Sequence, residues 1–354
     1  MKRILYIGFL LFALACDDRG SGPYLAVPKP PESTGETKFQ NPLVAAAPDP
    51  WVVQRGDFYY FLQTFDNRIE IRKTAKMSEL GSAKSTLVYS PPSLGSNSRN
   101  LWAPEMFYLN GKWYIYYTAG NGQDISHRMF VLENANKDPT TNNWVDKGQL
   151  ITQPNDLWSI DGSILEYKNE LFFIWSGRPG AQTGDLTQNI YISKMSNPYT
   201  LTGSTVMIST PQHAWEKVGF AVNEGPEILK NKDGDVFLIY SASYCGTDAY
   251  ALGMLTLAKD GDPLNPTAWT KKANPVFSKA STAYGPGHNG FFKSKDGKED
   301  WIIYHANADS HPSNDGCGDV RSTRMQKFGW NEDGTPYFGD PVAVGALISA
   351  PSGE

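Results

Sequence analysis

Asp49, Asp161 and Glu224 are the residues in this sequence whose types and settings suggest chemistry. Each stands in a short turn-like string ahead of an apolar run: Pro48-Asp49-Pro50, Asp161-Gly162-Ser163 and Glu224-Gly225-Pro226. Taken singly, each string is an ordinary turn, because Asp-Pro and Asp-Gly pairs favour turns. Taken together, they supply what cleavage of a glycosidic bond requires. One carboxyl must hold a proton for the leaving oxygen, and another must be ionised to activate water. An inverting pair stands roughly 6.5–9.5 Å apart, which leaves room for that water. A third carboxylate raises the acid's pKa by like-charge repulsion and keeps it protonated near neutral pH.

Such groups act only if one scaffold aims them at one place, and a repeat in the sequence provides it. An aromatic strand signal recurs five times: Asp57-Phe-Tyr-Tyr-Phe-Leu, Lys112-Trp-Tyr-Ile-Tyr-Tyr, Glu170-Leu-Phe-Phe-Ile-Trp, Asp235-Val-Phe-Leu-Ile-Tyr and Asp300-Trp-Ile-Ile-Tyr-His. The steps between first residues are 55, 58, 65 and 65. A turn precedes each copy (Arg55-Gly56, Asn110-Gly111, Lys168-Asn169, Asp233-Gly234, Asp296-Gly297), and a short apolar run precedes each turn. Each unit therefore opens with a hairpin. A third strand follows, as in Ile69-Glu-Ile-Arg and Met129-Phe-Val-Leu, and no long amphipathic helix intervenes. Five such units describe an all-β fold, a five-bladed β-propeller. An irregular sandwich would not repeat with this spacing. The first strand of a propeller blade lines the central axis. The residues that open those strands are Asp49, Trp102 with Ala103, Asp161, Glu224 and His288. Burying charge is costly, so its concentration at these positions implies a purpose.

Composition narrows the partner. Aromatic residues make up 13% of the 354-residue chain, which suits strands and also flat surfaces for sugar rings. The net charge is −5 and Lys and Arg do not cluster, which excludes nucleic acid or an anionic membrane surface as the main partner. A neutral polysaccharide or oligosaccharide fits better.

The first residues read as an export signal. Lys2 and Arg3 precede an apolar stretch, Ile4 to Ala15, too short to span a bilayer. Ala13-Leu14-Ala15-Cys16 resembles a bacterial lipobox, in which cleavage leaves a lipidated Cys16 as the only membrane attachment; plain secretion is the alternative. The expected organisation is a signal peptide over 1–16, a Pro- and Gly-rich tether over 17–38, and a catalytic propeller over 39–354. Cys245 and Cys317 either pair in an oxidising compartment or stand as two small thiols.

Six motifs resemble glycoside hydrolase family 43, whose members are five-bladed propellers. They are Asn41-Pro42 with Pro48-Asp49-Pro50, Trp102-Ala103-Pro104-Glu105, Ser159-Ile160-Asp161-Gly162-Ser163, Asn223-Glu224-Gly225-Pro226, Gly287-His288-Asn289, and Arg321 through Trp330 as the family's last inner-blade strand. The resemblance runs from about residue 39 to the end. It implies Asp49 as general base, Glu224 as general acid, and Asp161 as the group that tunes and positions the acid. It implies Arg321 as a hydrogen-bond donor to the sugar in the −1 subsite, with Phe65 and Trp102 as apolar walls. His288 would sit below the sugar, reaching water or a Ca²⁺ or Na⁺ ion of structural or electrostatic role; no cofactor is required for the chemistry. Gly290 departs from arabinan-type members, which often carry Ser after the His-Asn pair.

The family divides mainly among α-L-arabinofuranosidases, arabinanases and β-D-xylosidases, with specificity set by loops at the pocket mouth. Many of its xylosidases append a C-terminal sandwich, whereas this sequence runs little beyond the fifth unit. The closing stretch Gln326-Lys-Phe-Gly-Trp-Asn-Glu-Asp-Gly-Thr-Pro also resembles arabinofuranosidases. The expectation is an inverting enzyme that removes terminal α-L-arabinofuranosyl residues. The alternatives are β-xylosidase, endo-arabinanase and a non-catalytic glycan-binding lipoprotein.

Overall fold

The computed structural model describes residues 37–152, 156–180, 184–318 and 320–354. The expected signal peptide, Cys16 and nearly all of the tether lie outside the described residues.

Five four-stranded antiparallel sheets follow one another along the chain. Blade one holds β2 (Trp51–Arg55), β3 (Phe58–Leu62), β4 (Ile69–Thr74) and β5 (Ser85–Tyr89). Blade two holds β6 (Arg99–Leu109), β7 (Lys112–Gly120), β8 (Arg128–Asn134) and β9 (Val145–Gln149). Blade three holds β10 (Ser159–Tyr167), β11 (Glu170–Gly177), β12 (Asn189–Asn197) and β13 (Thr200–Ser209). Blade four holds β14 (Asn223–Lys230), β15 (Val236–Ala242), β16 (Ala251–Leu257) and β17 (Trp269–Lys271). Blade five holds β18 (Tyr284–Lys293), β19 (Asp300–Asn307), β20 (Ser322–Trp330) and β21 (Pro336–Tyr337). The propeller expected from the repeat is the fold observed.

The second strand of each blade explains the repeated aromatic signal. Successive residues of a strand point to opposite faces, and here both faces are covered by neighbouring blades. Phe173 and Trp175 of β11 pack with Tyr114 and Tyr116 of blade two. Phe172 and Ile174 of the same strand pack with Leu238 and Tyr240 of blade four. Each interface is one apolar cluster, and Tyr59, Phe61, Trp301 and Ile303 join blade five to blade one. A strand buried on both faces reads as a continuous apolar run without alternation.

The ring closes through its ends. β1 (Lys38–Gln40) pairs with β22 (Leu347–Ser349), so the described propeller begins at the last residue assigned to the tether. The Asn41 side chain accepts from Met325 N–H at 3.0 Å and donates to Met325 C=O at 2.9 Å, and residues 43–47 continue along β20. This corrects one reading: residues 322–330 form the third strand of blade five, between β19 and β21, and not an inner strand. Arg321 still reaches the axis because it precedes that strand beside the seam.

Candidate active site

All five inner strands bend in the same way. Where Ile160 pairs with Ser176 and Ser163 with Ile174, the inner strand of blade three holds one extra residue. Equivalent shifts occur at Trp102/Glu105, Glu224/Glu227 and Gly287/Gly290. In blade one, Thr64 N–H donates to Pro48 C=O, while Trp51 pairs with Leu62. Such bulges kink a strand and re-aim its side chains. At each bulge one residue has positive φ: Asp49 (54°), Ala103 (41°), Asp161 (53°), Gly225 (52°) and His288 (43°). Four of these are not glycine, and a residue held in that region costs on the order of 1–3 kcal/mol, strain typical of functional sites. Glu224 therefore stands one position before the register of Asp49 and Asp161, level with Trp102.

The exposed amides of these bulges are capped in a ring. The polar residue facing the bulge on the second strand of one blade caps the next blade. Thr64 Oγ accepts from Ala103 N–H, Thr118 Oγ from Asp161 N–H, Ser241 Oγ from His288 N–H, and His305 Nδ1 from Asp49 N–H. Blade three departs from the pattern. Ser176 donates to Asn223 C=O, and Gly225 N–H turns to Asp161 Oδ2 at 3.0 Å. That one exception ties the segment carrying Glu224 to the carboxyl of Asp161.

Asp49 is held ionised. Arg321 Nη1 donates to its Oδ1 at 2.8 Å, and Thr64 Oγ donates to its Oδ2 at 2.7 Å. His288 Nδ1 and His305 Nδ1 each lie 3.4 Å from Oδ1. Burial alone would raise the Asp49 carboxyl, but the Arg321 guanidinium beside it holds it well below the usual aspartate value. His305 accepts the Asp49 amide proton through Nδ1, and burial keeps its ring neutral, with a pKa lowered to about 3.

Glu224 and Asp161 are pushed the other way. Burial raises Glu224 to about 7, and the Asp49 charge adds to this against a 2.8 Å hydrogen bond from Tyr250 OH to Oε1. Burial, then Glu224 and Asp49, raise Asp161 well above the usual range. One carboxyl is thus ionised while its neighbours retain protons near neutral pH, the division of labour that acid and base catalysis need. Beneath Glu224, Asn223 is fixed by Glu216, itself fully buried and paired with Lys271 at 2.7 Å.

Asp49, Asp161 and Glu224 line a cavity of about 750 Å³ together with the four residues expected to hold the sugar: Phe65, Trp102, His288 and Arg321. Trp102 stacks on His127 at 4.2 Å, and its Nε1 donates to Asp66 Oδ1 at 2.7 Å. Phe65 lies under the Arg68 guanidinium, 4.2 Å from the ring centre. On the other side of His127 the wall continues with Trp158, capped by Arg178 at 4.0 Å from its ring, with Arg178 paired to Asp124.

The sequence profile of Glycosyl hydrolases family 43 matches residues 39–336. The chain belongs to this family. It is a glycoside hydrolase. An extracellular exo-α-(1→5)-L-arabinofuranosidase of Streptomyces avermitilis is 40% identical over 95% of this chain and 69% of the relative. An α-L-arabinofuranosidase 43 of Humicola insolens is 36% identical over 87% of this chain, which spans 64% of that relative's length. The crystal structure of an α-L-arabinofuranosidase from Lactobacillus brevis superposes with a TM-score of 0.81 at 37% identity, covering 87% of this chain and 98% of that one.

In this family 43 enzyme a second layer lies below the carboxylates. Glu105, Ser163 and Glu227 come from three blades and lie together, all at most 2% exposed, with Ser163 Oγ donating to Glu227 Oε2 at 3.4 Å. Burial raises Glu105 to about 8, and Glu227 shifts well upward for the same reason and from Glu105 beside it. The Nδ1 of His288 faces Asp49, and among the described residues no group of three or more His, Cys, Asp or Glu is arranged to hold a metal. A Cβ at Gly290 would make only ordinary contacts, 3.4 Å or more away, so the departure from Ser leaves the local packing intact.

Sequence reasoning missed Thr64, Tyr250 and His305. A signal existed for part of this set. The second strands close on Thr118, Ser176, Ser241 and His305, each a polar residue between an aromatic and a small one. Tyr250 precedes β16 without any motif. Cys245 and Cys317, left open above, form a disulfide between blades four and five, and both line the cavity.

Proposed function

We propose that this enzyme removes terminal α-L-arabinofuranosyl residues from polysaccharides or oligosaccharides with inversion. The observation that carries the reading is the opposed settings of two carboxyls in one cavity, Asp49 paired with Arg321 and Glu224 buried beside Tyr250. The arabinofuranosidase relatives, one of them exo-acting, support the sugar and its removal from a chain end. In the reaction, Asp49 takes a proton from water as its oxygen bonds to the anomeric carbon. The bond from that carbon to the leaving oxygen breaks, and that oxygen takes the Glu224 proton. Asp161 holds the Gly225 amide and so positions Glu224. Arg321, Phe65, Trp102 and His288 would hold the sugar. A Ca²⁺ or Na⁺ ion near His288 would be structural; no step uses one.

The Streptomyces avermitilis relative is described as extracellular, which supports export of this chain. A disulfide suits an oxidising compartment. Anchoring through a lipid on Cys16 extends that reading.

The test uses protein lacking residues 1–16 with 4-nitrophenyl α-L-arabinofuranoside, the matching β-D-xylopyranoside, and linear arabinan. Release from the first alone, arabinose as sole product from arabinan, and a β-anomer appearing first by ¹H NMR are expected. Preference for the xyloside would make it a xylosidase, and an oligosaccharide ladder an endo enzyme. Binding without turnover would make it a glycan-binding protein.

A further inference from the structure

We propose that the Cys245–Cys317 disulfide is a positioning element of the catalytic base, setting the reach of Arg321 to Asp49 through the Gly318 carbonyl. Among the described residues the Arg321 guanidinium makes two hydrogen bonds: Nη1 to Asp49 Oδ1 at 2.8 Å and Nε to Gly318 C=O at 3.3 Å. The Arg321 backbone amide also donates to Gly318, at 3.4 Å. Gly318 follows the bridged Cys317 directly, so the disulfide fixes the acceptor that orients the guanidinium.

The bridge works with a small set of neighbours. Gly316 N–H donates to Gly246 C=O at 3.0 Å, and Asn307 Nδ2 donates to Gly316 C=O at 3.2 Å. Backbones approach so closely that a Cβ at Gly246 would stand 2.2 Å from Asn314 C=O. On the far side, His311 N–H is held by Asp248 at 2.8 Å. Blade four thus grips the segment that ends in Arg321, while Asp49 belongs to blade one. The disulfide is the covalent part of that grip, and it lies in the cavity wall where solvent reaches it.

This inference rests on Asp49 being the base. Wild-type turnover of the arabinofuranoside tests that reading on its own, whereas the disulfide is judged only from ratios to wild type. The experiment compares wild type with Cys245→Ser/Cys317→Ser, and wild type with its own reduced form after a phosphine reductant, with thiols counted and near-UV circular dichroism recorded. Opening the bridge is expected to lower kcat about tenfold and move the acid limb up by about half a pH unit or more, as a loosened cation stabilises the carboxylate less. In an Arg321→Lys background, which keeps the charge but lacks the Nε–H that Gly318 holds, opening the bridge is expected to change neither by more than twofold. A lower Tm with kcat and acid limb unchanged would reduce the disulfide to a staple and overturn the proposal. So would an equal loss in both backgrounds.

Discussion

At the residue scale, two carboxyls in one cavity differ because their neighbours differ. Asp49 has a guanidinium and a hydroxyl on its two oxygens; Glu224 has a phenol and two other carboxyls nearby. The proposed reaction needs Asp49 ionised and Glu224 protonated. The first condition holds above a value well under the usual aspartate range, and the second fails as pH rises through about 7. A plot of log kcat/KM should therefore stay level down to the acid side and fall tenfold per unit on the alkaline side of about pH 7. Glu224→Gln should remove that alkaline fall and lower kcat/KM by about 10²–10⁴-fold on arabinan oligosaccharides. An alkaline limb surviving in Glu224→Gln would assign it to another group. Thr64 joins two tasks, donating to Asp49 and accepting the Ala103 amide. Thr64→Val keeps the shape, and kcat should fall about tenfold with KM within a factor of two, since the lost bonds orient the base without holding substrate. The carboxylates were legible because they recur in a repeat frame. Thr64 was not, because a threonine beside Phe65 says nothing until Pro48 is seen across from it.

At the element scale, the inner strand carries two tiers of function on one bulge. Asp161 and Ser163 share a segment, as do Glu224 and Glu227, and Glu105 follows the Ala103 bulge. The lower tier places Glu105 and Glu227 in mutual contact, so at least one must hold a proton. Glu105 is raised in the folded state relative to the unfolded one. Its contribution to stability is fullest at acid pH and is lost as pH rises through about 8. Glu105→Gln, which keeps the shape and removes the ionisable group, should raise Tm more at pH 8 than at pH 5, by a few degrees at the higher pH. Equal shifts at both values would mean the pair does not titrate in that range. The blades were legible because a strand covered on both faces leaves a continuous aromatic run, and five such runs cannot be missed. Strand rank within a blade was not. The run from Ser322 to Trp330 resembles a family strand, but similarity carries no information on which neighbour it pairs with, and β20 lies third from the axis.

At the scale of the whole molecule, Asp49, the proposed base, sits on the seam where the ring closes. The segment from Asn41 to Asp49 belongs to blade one by sequence but is stitched to blade five. Asn41 brackets Met325, Leu43 N–H donates to Thr323 C=O, Thr323 N–H donates to Val44 C=O, and Ala47 N–H donates to Arg321 C=O. The Asp49 amide then meets His305, and its carboxylate meets Arg321, both from blade five. Opening the seam would separate the base from the groups that keep it ionised, while four blade interfaces remained packed. Asn41→Ala leaves the buried Met325 N–H and C=O without partners, at a cost of about 1–3 kcal/mol for each such group. The variant should lose stability by about that amount. It should also lose arabinofuranosidase activity on heating at a lower temperature than it loses intrinsic Trp fluorescence, because local opening needs less free energy than global unfolding. In wild type the two transitions should lie closer together. Coincident transitions in the variant, shifted down as one, would show that the seam opens only when the whole propeller does, and that closing the ring and holding the base are one cooperative event.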